Sequence, residues 1–458
     1  MTADVLAREI ASELGDGRVM TAGDALADYS HDEAYGVEPV LPAAVLFPRT
    51  SDEVVAIMEA ASRMRVPVTP RGSGTGLAGA CVASEGGVVL SLEKMDSIIE
   101  VDTANHVAVV QPGVTLARLD EATASHGLAY PVVIGEKSAS LGGTVATNAG
   151  GMQAVKYGVT RNHVLGLEVV LADGRRIRTG GKTVKRSSGY ELTQLFVGSE
   201  GTLGVVTEIT ARLVPRMPIR ATVLAPFTSL GDASAAVPAV TLSGVGPLLV
   251  EYIDMLTMEA TTRDAGVDLG VPGSVKERAL AYLVVVVEGG RETTVDQDVA
   301  EVAGLLASAG AIDVYVLPSP AGQGLLAARD RAHWTAKAAG ADDIVDVVVP
   351  RAAMAEYMEK VGSLATAHHA FVAGCGHAGD GNVHLSIFQP DPGARLATIH
   401  AILEAGRSLG GEVSAEHGIG KAKRHDFLDL ADPVQIEIMR KIKAALDPES
   451  ILSPGNVV

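Results

Sequence analysis

At 458 residues, 47% of them hydrophobic, the chain is too long for one compact core and too apolar to be disordered. A formal charge of -18 argues against nucleic acid or anionic lipid as a partner, and any anionic substrate would need local positive charge or a metal. Two cysteines, Cys81 and Cys375, cannot by themselves build a disulfide framework, a thiolate zinc site or an iron–sulfur cluster. No apolar run is long enough to span a membrane and no signal peptide is visible, so a soluble cytoplasmic protein is expected.

In chain order, residues 4–14 read as an amphipathic helix, Leu41 to Phe47 as a strand and Ser51 to Met64 as a helix with an N-cap and early acids. VPVTP from Val66 is a short strand running into the glycine loop RGSGTGLAG. Gly87 to Leu92 and Val107 to Gln111 are strands, and Thr115 to Gly127 is a helix ended by glycine. A second glycine-rich loop follows, LGGTVATNAGG from Leu141. Leu165 to Leu171, the Asp173–Gly174 turn and Arg176 to Thr179 form a β-hairpin, and Leu203 to Leu213 is a further strand. From about residue 218 strands (Arg220 to Leu224, Leu248 to Ile253, Leu283 to Glu288, Asp313 to Leu317) alternate with helices, the pattern of an antiparallel sheet backed by helices. After Glu416 the pattern is helical up to the closing ILSPGNVV.

Gly74, Gly76 and Gly79 match G-x-G-x-x-G, but a strand follows where a Rossmann unit needs a helix, and no G-K-[ST] completes a Walker loop. An anion bound here would sit on a nest of backbone N–H groups. One such loop reads most simply as a turn. The second loop and a third glycine piece, GSEGTLG at Gly198 to Gly204, favour a large flat anion such as a dinucleotide. The run FVAGCGHAGDGNVHLSIF reads as strand, tight turn, strand. A lone histidine in a hairpin commonly forms a structural hydrogen bond, whereas two flanking a turn can aim both imidazoles at one point, a usual metal arrangement. Glu416 and His417 add a carboxylate and an imidazole in another small-residue setting.

PRGSGTGLAG, ASLGGTVATNAGG, KYG at Lys156 to Gly158 and VGSEGTLGVVTEI resemble the FAD-binding domain of the vanillyl-alcohol oxidase type, and among its members the FAD-linked D-lactate dehydrogenases and the glycolate oxidase D subunit. The resemblance implies an α+β fold: a two-subdomain FAD domain (1–217, from about 39), a substrate domain of antiparallel sheet and helices carrying a metal site (218–420), and a C-terminal helical segment (421–458) packing back on the FAD domain. It places Arg71, Gly72, Ser73, Gly74, Thr75, Gly76, Ser138, Gly142, Gly143 and Asn148 around the pyrophosphate, and Glu200, Gly201 and Val205 toward the adenosine or flavin. The first loop lacks the histidine that tethers the flavin in some relatives, so FAD is expected to be non-covalent.

GHAGDGNVH and EHGIG resemble the metal signature of the D-2-hydroxy-acid dehydrogenases. Carried over, His377, His384 and Glu416 would hold a divalent ion, Zn2+ first and Mn2+ or Fe2+ next, with His417 as the base. The implied reaction oxidises a D-2-hydroxy acid to the 2-oxo acid by hydride transfer to flavin N5, with Arg329 as a second hold on the substrate carboxylate. The alternative is a subunit of a multi-protein glycolate oxidase. Either way electrons pass to an external quinone, cytochrome, flavoprotein or iron–sulfur subunit, at the membrane periphery if the acceptor lies there, and a homodimer is compatible. His333, Ile344 and Ser386 stand where the 2-hydroxyglutarate enzymes carry threonine, lysine and asparagine, which favours a shorter or more apolar acid. In the tail, Ser453 and Asn456 replace the asparagine and lysine of N-P-G-K.

Overall fold

The computed structural model describes residues 2–458 in two compact units. One gathers the chain up to Ala149, Val159–Arg216 and Glu416–Val458; the other gathers Gly150–Gly158 and Met217–Ala415.

The first unit contains two sheets. Strands β1 (Val19–Met20), β2 (Ala44–Leu46), β3 (Val68–Arg71) and β4 (Val88–Ser91) lie in the order β1-β2-β4-β3, with β2 and β3 both parallel to β4. Parallel strands are covered on both faces, which accounts for the unbroken apolar runs AVL and VVL. Helices Thr2–Leu14 and Ser51–Met64 bury Leu6, Ile10, Val54, Ile57 and Met58 with Leu46, Val68 and Leu90, while Phe47, Ala83 and Val89 form a smaller cluster with Val45. The second helix starts where the sequence places it: Thr50 Oγ1 accepts the Glu53 N–H at 3.2 Å, and Arg65 closes the helix in the left-handed region.

The second sheet of this unit is antiparallel. It comprises β5 (Ile98–Asp102), β6 (Val107–Val110), β8 (Val164–Val170), β9 (Arg176–Gly180) and β10 (Val205–Arg212), in the order β5-β6-β10-β8-β9. A separate pair joins β7 (Leu128–Ala129) to β11 (Val214–Pro215). Val110, Leu119, Leu141, Val145, Leu167 and Ile209 share its core. After helices Arg424–Leu430 and Pro433–Leu446 the tail returns to the first sheet: the Val68 N–H donates to Ile451 O at 2.7 Å, and Leu452 bridges Val68 in parallel.

The second unit is a seven-stranded antiparallel sheet built from β12 (Ile219–Phe227), β13 (Leu249–Asp254), β14 (Ala281–Gly289), β15 (Tyr315–Leu317), β16 (Asp343–Val348), β17 (Phe371–Gly376) and β18 (Asn382–Phe388). Their order is β15-β12-β14-β13-β17-β18-β16, with helices including Leu230–Leu242 and Glu292–Ser308 against the sheet. Gly150–Gly158 belongs here because Lys156 Nζ and Tyr157 Oη both donate to Oε1 of the buried Glu288 on β14, at 3.1 and 2.5 Å. Among the described residues no helix is long and apolar enough to cross a membrane.

Two sequence expectations change. Leu141 to Thr147, read as loop, is a short helix: Ser140 Oγ accepts the Gly143 N–H at its start and Asn148, at φ 51°, ends it. Strand β16 was not anticipated, since Asp343 and Asp346 interrupt the apolar pattern of DIVDVV.

Candidate functional site

In the first unit the glycine stretches converge. β3 delivers the chain into Gly72–Gly76, and Ser73 Oγ donates to Ser138 O at 2.7 Å. A Cβ on Gly142 would lie 2.5 Å from the Pro112 side chain and 2.9 Å from its carbonyl oxygen, which requires glycine there, and one on Gly72 would displace the Ser140 hydroxyl, 2.1 Å away. Gly198 and Glu200 donate their N–H groups to Val145 O and Ala146 O, at 2.9 and 2.8 Å, bringing in the third glycine piece. Gly76 and Gly143 are less crowded. A Cβ there would meet only Asp32 Oδ2 at 3.3 Å and Ser140 Oγ at 3.1 Å, respectively. Among the described residues no protein acceptor takes the N–H groups of Ser73, Gly74, Thr75 or Gly76. Four successive donors without an acceptor form a nest suited to a pyrophosphate.

The side chains assigned to this cradle are largely occupied with the protein. The Arg71 guanidinium is turned into the packing, donating to His31 O at 2.6 Å and Asp28 O at 3.1 Å. Asn148 Oδ1 accepts the Arg161 N–H, and Val205 lies in the core. Glu200, itself at φ 51°, is buried, and its two carboxylate oxygens accept the Ile419 and Gly420 N–H groups, each at 2.7 Å. Burial pushes its pKa up to about 7, and the two N–H donors pull the other way. The side chains of Arg71, Glu200 and Val205 are thus all engaged within the protein. The tail locks against the same region: Asn456 Nδ2 donates to Ala80 O, and Lys421 Nζ to Val82 O and Ala83 O.

In the second unit β17 and β18 form the histidine hairpin. Cys375 lies opposite His384, and His377 follows the end of β17. Glycine is obligatory on the narrow strand, since a Cβ on Gly374 would sit 2.1 Å from His384 O and one on Gly376 2.3 Å from Asn382 O. The two imidazoles face each other edge to face, with centroids 5.0 Å apart, and both are buried.

Two acids missed in the sequence complete the surroundings. Glu251 on β13 is fully buried; its Oε1 lies 2.7 Å from His377 Nδ1 and its Oε2 accepts Arg329 Nε at 2.9 Å. Arg329, on helix Ser319–Asp330, is thus held by a carboxylate of its own chain. Asp346 on β16 accepts hydrogen bonds from Asn382 Nδ2 at 2.8 Å, and from Ser414 Oγ and the Ala415 N–H at 3.0 Å each; His384 Nδ1 lies 3.7 Å away. The signal was available: an acid inside an apolar strand, as in LVEYID or DIVDVV, is rarely buried without a job for its charge. Glu416 follows Ala415 directly and opens the last stretch of the first unit, where His417 Nε2 lies 4.0 Å from Glu416 Oε1.

The model for "FAD binding domain" matches residues 42–180, and that for "FAD linked oxidases, C-terminal domain" matches 217–457. The chain belongs to the FAD-linked oxidases. An FAD-linked oxidoreductase of Mycobacterium tuberculosis is 48% identical over 97% of both chains. D-lactate dehydrogenase of Archaeoglobus fulgidus is 40% identical over 90% of this chain and 91% of its own. The fold is the α+β fold of the vanillyl-alcohol oxidase type: 4-ethylphenol oxidase from Gulosibacter chungangensis superposes with a TM-score of 0.80 at 19% identity, covering 100% of this chain and 97% of that one.

In this FAD-linked oxidase the positions that depart from the 2-hydroxyglutarate pattern are partly neighbours. Ile344 on β16 pairs across the ladder with Ser386 on β18, and His333 packs edge to face on Trp334, 5.1 Å between centroids.

Proposed function

We propose that this FAD-linked oxidase is a metal-dependent dehydrogenase of small D-2-hydroxy acids such as D-lactate or glycolate. The observation that carries the reading is the buried pair His377 and His384, with Glu251 on one Nδ1. A carboxylate on Nδ1 suits an imidazole that offers Nε2 to an ion, and two imidazoles with the Glu416 carboxylate suit zinc or another divalent metal. Asp346 supports the assignment of Glu416, because it anchors the two residues that precede it in the chain.

Bound FAD supplies the two-electron acceptor, and a bound divalent ion acidifies the substrate hydroxyl. The residues do the rest. The Ser73–Gly76 nest would hold the cofactor's pyrophosphate through backbone N–H groups, with Gly142 and Gly143 keeping the neighbouring stretch close and free of side chains. Arg329, held at Nε by Glu251, pairs with the substrate carboxylate. His417 accepts the hydroxyl proton on an imidazole nitrogen and later releases it to solvent. Ile344 offers no charge to a second carboxylate, which favours D-lactate over D-2-hydroxyglutarate. The GlcD relatives, one 36% identical in Bacillus subtilis, support the second reading, a catalytic subunit that passes electrons to a partner protein.

Anaerobic mixing with D- and L-acids tests this: D-lactate or glycolate should bleach the oxidised flavin within seconds, L-lactate should not. An oxidised spectrum after every D-acid and glycolate would overturn it.

A further inference from the structure

We propose that Glu251 is a positioning residue that ties the metal ligand His377 to the carboxylate clamp Arg329, fixing both with one side chain; this rests on the reading above. Glu251 lies in the middle of the sheet, paired with Val284 on β14, while its neighbour Tyr252 pairs with Gly376 on β17, next to His377. That register brings an acid of β13 beneath the hairpin turn. The turn is itself seated on β13, through the Gly379 N–H to Val250 O at 3.0 Å.

At zero exposure the Glu251 carboxylate needs donors for both oxygens, and it has one for each: the His377 ring at 2.7 Å and Arg329 Nε at 2.9 Å. Accepting from Nδ1–H commits His377 to the tautomer whose lone pair is on Nε2. Accepting from Nε of Arg329 fixes the plane of the guanidinium. An amide cannot replace this, because it has one acceptor and presents N–H groups to the other donor.

The test compares wild type with Glu251→Gln and Glu251→Asp, all purified with FAD. Zinc affinity, measured by competition with a chromophoric chelator, should fall about 10–100-fold in Glu251→Gln and recover in part in Glu251→Asp. With zinc saturating, KM for D-lactate should rise more than kcat falls, because the clamp is loosened. Equal zinc affinity in wild type and Glu251→Gln, within twofold, would overturn the proposal. The 15N shifts of His377 in metal-free wild type provide a check that needs neither a variant nor an ion: Nδ1–H is expected, and an Nε2–H tautomer would overturn the proposal. Wild type that binds no zinc but shows the Nδ1–H tautomer would refute the metal reading and leave the Glu251–His377 positioning standing.

Discussion

Gly72→Ala measures how tightly the two glycine stretches are closed. The new methyl group would lie 2.1 Å from Ser140 Oγ, 3.4 Å from Ser140 Cβ and 3.6 Å from the Gly143 nitrogen. Only the first contact is impossible. Relief requires Ser140 Oγ to rotate away, which gives up its hydrogen bond to the Gly143 N–H and costs about 1 kcal/mol of capping. The alternative is for the loop to move, and overpacking costs about 1–3 kcal/mol. The more restricted unfolded chain returns about 0.4–1 kcal/mol, so the cheaper route, rotation of the hydroxyl, leaves a net loss of about 0–0.6 kcal/mol, and movement of the loop up to about 2.5 kcal/mol. In a Ser140→Ala background the hydroxyl is absent and the closest atom is at ordinary contact distance, so there Gly72→Ala should stabilise by about 0.4–1 kcal/mol. Urea unfolding of the four proteins, followed by circular dichroism and by release of flavin fluorescence, gives the coupling directly. Equal effects of Gly72→Ala in both backgrounds would refute the argument that this hydroxyl sets the requirement for glycine.

Three further outcomes are expected. Because burial lifts the folded Glu200 carboxyl from 4.5 to about 7, the native state holds that proton more tightly than the unfolded chain. Its contribution is complete below about pH 4.5 and lost as pH rises through about 7, by about 3 kcal/mol in all, so wild-type FAD-free protein should lose stability over this window relative to Glu200→Gln; parallel urea curves would contradict this. Burial pushes the Cys81 thiol up to about 12, leaving a thiolate fraction of about 10⁻⁴ at pH 8, so iodoacetamide should label it only on unfolding, as mass spectrometry of timed samples would show. His384→Ala should retain FAD, judged by its absorbance, while kcat/KM for D-lactate falls about 10³-fold or more; retained activity would refute a metal at the hairpin.

Much of the fold was legible because local rules and tertiary demands agree. Thr50 with its early acids marks a helix start, Asp173–Gly174 marks a hairpin, and the apolar runs of β2 and β4 mark strands buried on both faces. Leu141–Thr147 was misread because two glycines suggested a loop, whereas Gly142 is small for packing on Pro112 and Ser140 caps the turn. β16 escaped because Asp346 sits where an apolar residue belongs, and the sequence does not show that Asn382, Ser414 and Ala415 supply its donors. The histidines announced themselves by flanking a turn. Glu251 stood out only as an acid in an apolar strand; its partners come from a hairpin and a helix far along the chain, and only the sheet order brings them together.

The edge bond between Val68 and Ile451 bears on biosynthesis. β3 leaves the ribosome long before the chain that completes its outer margin. The sheet that holds β3 must therefore wait with one side bare while the whole second unit is synthesised. Chains shortened to stop before Ile451 should be prone to associate through that exposed strand.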